Sequence, residues 1–157
     1  MTTNLSHSEF THLASEKQIE HANHFQSVRA QGSTLDHVTQ RNEIRKLIAA
    51  PDVLVGSVHA ITEQGEVLIA SASGSQLSAA ACGAGLVIWV VGTQKLVGTL
   101  SDGLRRIRDY CLPLESERVQ QVYGQGQASA INKLLTINAE HEPGRITMVL
   151  VKQQLGF

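Results

Sequence analysis

The sequence predicts an α/β domain: a mostly parallel open sheet with flanking helices and one inserted β-hairpin. Three observations carry that prediction. Apolar, β-branched runs of strand length recur at 53–55, 86–91 and 146–151 and are separated by segments of helical pattern, the order that crossover connections between parallel strands require. A Thr-Glu-Gln-Gly turn at 62–65 lies between two strand-like runs, which is hairpin chemistry. The chain has 157 residues, 42% hydrophobic and 17% charged, the size and balance of one globular domain that buries about 70% of its unfolded surface without disulfide staples.

Residues 1–50 are polar, rich in His, Gln, Asn and Ser, and are expected to form a helical N-terminal segment whose first dozen residues fray. Ile19, Ala22, Phe25 and Val28 at helical spacing predict a weakly amphipathic helix over 15–30. Leu35, Val38, Ile44, Leu47 and Ile48 predict a better one over 34–49. Ser33 or Thr34 can cap that second helix and Pro51 stops it.

The α/β domain is placed at 51–157. Residues 53–61 read as one strand whose apolar start suits burial on both faces. After the turn, 66–70 resumes a strand, and the Ser/Gly loop 71–75 leads into a small-residue helix over 76–82 closed by 83–85. LVIWVV at 86–91 is the strongest strand in the chain. Beyond the loop 92–95, a helix starting at Thr99 or Ser101 and running to Tyr110 puts Leu104, Ile107 and Cys111 on one face. Pro113 is expected to break it before a further helix over 115–123. Gly124 and Gly126 mark a loop, 128–133 is predicted helical, 134–137 is a short strand, and 146–151 is a last strand after the Pro143-Gly144 turn.

Charge and composition exclude several functions. Thirteen Lys and Arg against fourteen Asp and Glu give a net charge of −1, without the basic excess of a nucleic-acid binder. With 4% aromatic residues, base-stacking platforms are poorly supplied. No apolar run approaches the ~18 residues of a membrane span, and the first residues lack a basic and apolar leader pattern. The expectation is a cytoplasmic protein with neither nucleic-acid nor membrane partners. Cys82 and Cys111 match no metal-ligand spacing and are each read as a small buried apolar residue.

Four motifs in order, VGSVHAITEQGEVLIASASGSQ, LVIWVVGTQKLV, LRRIRDYCLPLE and the ending PGRITMVLVKQQLGF, resemble the LUD domain, the lactate-utilisation family. The resemblance runs over 54–157. It implies a fold similar to the ribose-phosphate isomerase and coenzyme A transferase-like superfamily. It also implies a role near lactate oxidation, alongside iron–sulfur and flavin-type subunits. Many LUD relatives carry a Cys-rich segment before the final strand; 123–143 contains no Cys here, so no cofactor is predicted. Relatives usually also have a further strand and a Ser/Gly-rich loop upstream of the strand at 53–61. The first fifty residues hold helical, His-rich text instead, as in a shortened member of the family.

Several groups can carry chemistry. Ser71, Ser73, Gly74, Ser75 and Gln76 combine small residues with the start of a helix, which suits a phosphate or carboxylate; the alternative is a connection whose serines cap the helix. Gly92, Thr93 and Lys95 follow the most buried strand at its carboxyl end, where open α/β sheets bind ligands. Lys95 there either neutralises an anionic substrate or is an exposed loop lysine. Glu63 resembles the turn glutamate that coenzyme A transferases use as a nucleophile, with His59 nearby; a solvated turn carboxylate is the alternative. Arg105, Arg106 and Arg108 read as a solvated face paired to Asp102 and Asp109 at helical spacing. His7, His12, His21, His24 and His37 crowd one quarter of the chain, yet His21 and His24 lack a defined third ligand, so no metal is predicted.

The functional expectation is a LUD-domain protein that binds a small anionic metabolite as an accessory component of lactate utilisation. If it is catalytic, Glu63 carries acyl or proton transfer. The alternative is a non-catalytic assembly module, a homo-oligomer built through a sheet edge, or a degenerate LUD fragment.

Overall fold

The structure is a computed structural model and describes residues 28–157. The histidine-rich stretch up to His24 and most of the helix expected over 15–30 lie outside the described residues.

Two short helices open the described chain, α1 (Val28–Ser33) and α2 (Arg41–Ala49). The helix expected over 34–49 is therefore shorter at its start. The Asp36 carboxylate accepts the backbone N–H groups of Val38 and Thr39 at 3.0 and 2.6 Å and the Thr39 hydroxyl at 2.7 Å. Those bonds fold 34–40 into a local turn that competes with helix and hold the Asp36 carboxyl below its ordinary pKa, the Thr39 backbone bond contributing most. Ser33 and Thr34 donate back to Ala30 and Gln31 carbonyls, both at 2.8 Å, and so finish α1 instead of capping α2.

The expected strand over 53–61 divides in two. β1 (Val53–Gly56) pairs in parallel with β4 (Leu86–Gly92), which pairs in parallel with β7 (Ile146–Val151). β2 (Ala60–Thr62) leaves that sheet at residues 57–59 and forms the expected hairpin with β3 (Val67–Ser71). The hairpin is the centre of a second sheet of order β5-β2-β3-β6, with β5 (Leu96–Val97) parallel to β2 and β6 (Lys133–Ile137) antiparallel to β3. Thr62 closes the hairpin by accepting the Glu66 N–H and donating its hydroxyl to the Glu66 carboxylate at 2.9 Å.

Alternation along the hairpin sorts its side chains between two cores. Ile61, Val67 and Ile69 face Val87, Trp89 and Val91 of the parallel sheet. Ala60, Leu68 and Ala70 turn the other way, towards Ile107 and Leu104 of the helix that follows β5. Gly103 lets that helix lie close: a Cβ there would stand 3.1 Å from Leu68 and 3.4 Å from Ala60.

That helix corrects a second expectation. α3 (Leu100–Arg106), a π-helical turn (Ile107–Cys111) and α4 (Leu112–Tyr123) follow without a break, so Pro113 does not stop the chain. The wide turn is closed by the Leu112 N–H on the Ile107 carbonyl, five residues back. Pro113 then falls in the first turn of α4, where a missing N–H is tolerated. Thr99 starts α3 with a capping box, its hydroxyl accepting the Asp102 N–H at 3.2 Å while the Asp102 carboxylate accepts from Thr99. Thr99→Ala is expected to lower stability by about 1 kcal/mol, read as a fall in urea midpoint at unchanged slope. The Thr99 hydroxyl bond also depresses the Asp102 pKa, so the cap contributes in full above the ordinary carboxylate value and is lost as pH falls through the depressed one.

The helix expected over 128–133 is absent; the Ser116 hydroxyl accepts the Ser129 N–H at 3.2 Å, and the segment runs on into β6. The helix expected over 76–82 is a single π-helical turn (Ala79–Gly83) on which Cys82 is exposed, contrary to expectation, because it points away from buried Ala79 and Ala80. Cys111 is buried as expected. Among the described residues no helix is long and apolar enough to cross a membrane.

Candidate functional site

The site sits where the chain changes sheets. Residues 57–59 join β1 to β2, and a cleft of about 290 Å³ opens beside them, lined by His59, Ser71, Ser73, Gln76, Cys111 and Glu115 among others. Ile107 and Cys111 both belong to the π turn and, four positions apart, face the same way, so both line the cleft. Glu115 closes another side and is clasped by Arg118 at 2.8 and 2.6 Å.

His59 is fixed by the hairpin. Its N–H donates to the Leu68 carbonyl at 3.0 Å, and its Nδ1 accepts the Ala70 N–H at 3.2 Å. A nitrogen that accepts a backbone N–H carries no proton, so the neutral ring holds its proton on Nε2.

Behind this wall lie two cations. Lys95 has no exposed surface at all. Its ammonium donates to the Ser57 hydroxyl at 3.3 Å, and it has no carboxylate partner among the described residues. Burial above all, and then the neighbouring Arg106 charge, pull its pKa from 10.5 down to about 8. Arg106 donates Nε to the His59 carbonyl at 3.0 Å and lies 4.8 Å from the Tyr110 ring centroid. Its Nη2 is buried and meets no acceptor among the described residues. Cys111 lies within the field of both cations, which oppose the upward push of burial on its thiol.

The residues singled out in the sequence are distributed as follows. Ser71, Ser73 and Gln76 line the cleft. Gly74, at φ +84°, and Ser75 spend their N–H groups inside the loop, on Ser71 Oγ at 2.9 Å and Ser73 Oγ at 3.3 Å. Lys133 and Asn132 tie the same loop to β6 through the Ser73 and Ala72 carbonyls. Gly92 is buried under the end of the chain, where a Cβ would stand 2.5 Å from the Gln153 carbonyl oxygen. Thr93 and Lys95 form a 3₁₀ turn with Gln94, whose amide donates to the Leu155 and Gly156 carbonyls at 3.0 and 3.3 Å. Phe157, just beyond, lines the cleft. Glu63 is exposed at the hairpin turn, its N–H on the Val97 carbonyl at 3.0 Å, and is not part of the cleft lining.

Sequence reasoning missed Arg106. Asp102 pairs with Arg105 at 2.5 Å, not with the residue four positions on, and Arg106 turns inward. The available signal was Gly103: a residue three positions beyond a side-chain-free contact point shares its inward face. Among the described residues no three His, Cys, Asp or Glu side chains converge. With one cysteine exposed and the other buried far along the chain, the donor set does not fit an iron–sulfur cluster.

These features define an α/β domain with a buried lysine and a part-buried arginine behind an open cleft, neither paired to a carboxylate among the described residues. The chain belongs to the LUD domain family: the family model of that description matches residues 3–151, taking in the N-terminal segment as well as the stretch from Leu54. No curated protein and no solved structure matches the chain.

Proposed function

We propose that this LUD-domain protein binds a small anionic metabolite in the cleft and serves as an accessory component of lactate utilisation, beside the subunits that carry electrons. The observation that supports the reading is the pair Lys95 and Arg106. A buried cation without a counter-charge is strongly unfavourable, and two together are retained most readily where an anion completes them. Neither cation lines the cleft itself; they lie behind its His59 and Cys111 wall, where their charge favours an anion held in the cleft.

A panel of lactate, pyruvate, sugar phosphates, coenzyme A and nicotinamide cofactors tests it by thermal melting. A ligand at 100 times its Kd adds about 2.7 kcal/mol, a rise of roughly 5–10 °C in a domain of this size. Selective stabilisation by one carboxylate or phosphate class is expected, unchanged in Glu63→Gln because Glu63 lies outside the cleft. A cooperative melt that no anion moves overturns the reading.

One observation favours a second reading, an assembly module. β7 ends the parallel sheet with Val149 and Leu150 about half exposed, and an apolar edge strand suits pairing with a second copy. A dimer by light scattering at low micromolar concentration supports it, and a monomer removes it.

A further inference from the structure

We propose that anion capture in this site is proton-linked: the anion enters together with one proton, which Lys95 takes from solvent. The inference rests on the anion-site reading above and adds to it a rule for how the site is filled.

The geometry argues as follows. Among the described residues, every group that meets Lys95 leaves its positive charge uncompensated. From the β1–β2 connection it has the neutral Ser57 hydroxyl. From α3 it has the Arg106 guanidinium, a like charge, and from the π turn the Cys111 thiol, which burial keeps protonated. On α4, Glu115 is held by Arg118 and so is spent locally. His59 faces Arg106 with its carbonyl and accepts the Ala70 N–H on its ring, so its imidazole gives no negative charge. The ligand-free arrangement therefore weakens the hold on the ammonium proton, and the ordinary value of 10.5 falls to about 8. An anion held in the cleft against His59 and Cys111 brings negative charge to the wall behind which Lys95 and Arg106 lie, and so favours the ammonium. By linkage, a ligand that raises a group's pKa is bound with uptake of protons between the two values, and its affinity falls as pH rises through the lower one. Below about pH 8 Lys95 is already charged and the coupling disappears.

Sulfate is the probe, because it keeps its two charges from pH 6 to 10 and cannot supply or absorb the proton itself. Isothermal calorimetry in two buffers of different ionisation enthalpy reads the protons taken up per sulfate. The expected results are close to one proton at pH 9, close to none at pH 6.5, and an affinity that falls about tenfold per pH unit above about pH 8. Lys95→Arg, whose charge is permanent, is expected to bind sulfate with no such fall, and Lys95→Met to lose binding at both pH values. Fluorescence of Trp89 checks that each variant is folded. Equal affinity at pH 7 and 9.5 without proton uptake overturns the proton linkage and leaves the anion site standing. A fall with pH that persists in Lys95→Arg also overturns it, since another group then carries the proton; an imidazole ordinarily titrates near 6.5, well below the window in question. Failure of the wild-type protein to bind sulfate at any pH overturns the proton-linked capture stated here, while the melting panel of carboxylates and phosphates decides the anion site itself.

Discussion

Lys95→Met is expected to make the ligand-free protein more stable while removing its response to anions. At neutral pH the folded chain holds a charged ammonium in a place with no exposure and no carboxylate partner among the described residues. A depression from 10.5 to about 8 corresponds to roughly 3 kcal/mol of disfavoured charge. Met is of similar length, is apolar, and fills irregular space without strain. The expected gain is a midpoint rise of roughly 6–10 °C, with anion-induced stabilisation abolished. The pH dependence has a definite sign. The unfolded chain keeps the Lys95 proton up to about 10.5, whereas the folded one releases it near 8, so between those values the unfolded state binds more protons and wild-type stability climbs with pH. The Met variant should be flat across that window. A destabilised Met variant would mean that Lys95 is structurally required, and would remove the trade of stability for binding on which the site reading depends.

Arg145→Ala is expected to cost about 3 kcal/mol, seen as a lower guanidinium midpoint. Arg145 is buried at the start of β7 and reaches back across the fold to the π turn of residues 79–83. Its Nη1 donates to the Ala84 carbonyl at 3.2 Å, and its Nη2 donates to Ala80 and Ala81 at 3.1 and 3.2 Å. A cation at the carboxyl end of a helical turn is well placed, and two of the carbonyls it serves belong to buried Ala80 and Ala84. Glu140 orients the guanidinium through Nε at 2.7 Å and through Nη2. The Arg145 bond is the main cause of the lowered Glu140 pKa. That contribution is therefore present above the ordinary carboxylate value and lost as the solution is acidified through the depressed one. Lys in place of Arg is expected to recover only part of the loss, because one ammonium cannot span carbonyls on both sides of the turn. Full stability in the alanine variant would show that water serves those carbonyls equally well.

Which features could be read in the sequence follows from the range of the forces that set them. β3, β4 and β7 were legible because β-branched runs announce themselves within six residues. The switch at 57–59 was not, since Val58 continues the apolar run of β1 even though the chain is already leaving for the other sheet. Pro113 misled because the usual rule assumes an α-helical ladder, and the π turn before it alters which N–H groups are needed. Loop 71–76 was found from local chemistry, and its Ser71, Ser73 and Gln76 line the cleft, whereas no residue of the 92–95 turn does. The burial of Lys95 was invisible locally, since it is produced by Ser57, Arg106 and Cys111, residues brought from both sides along the chain. Arg105 and Arg106 look alike in sequence; one finds Asp102 in solvent, and the other turns under the hairpin.

The π turn at 107–111 has one more consequence. A single residue inserted into a helix shifts the phase of everything after it by about 100°. Removing one residue there would rotate Leu112, Glu115 and Ser116 around the rod while leaving Gly103 seated on Leu68. Cys111 and Glu115, which keep their own four-residue spacing, would both turn away from the wall that Ile107 holds, although no side chain had been altered. Spacing between Gly103 and Glu115 is thus constrained as tightly as chemistry is, and a one-residue deletion should disable the cleft where most substitutions along the same stretch would be tolerated.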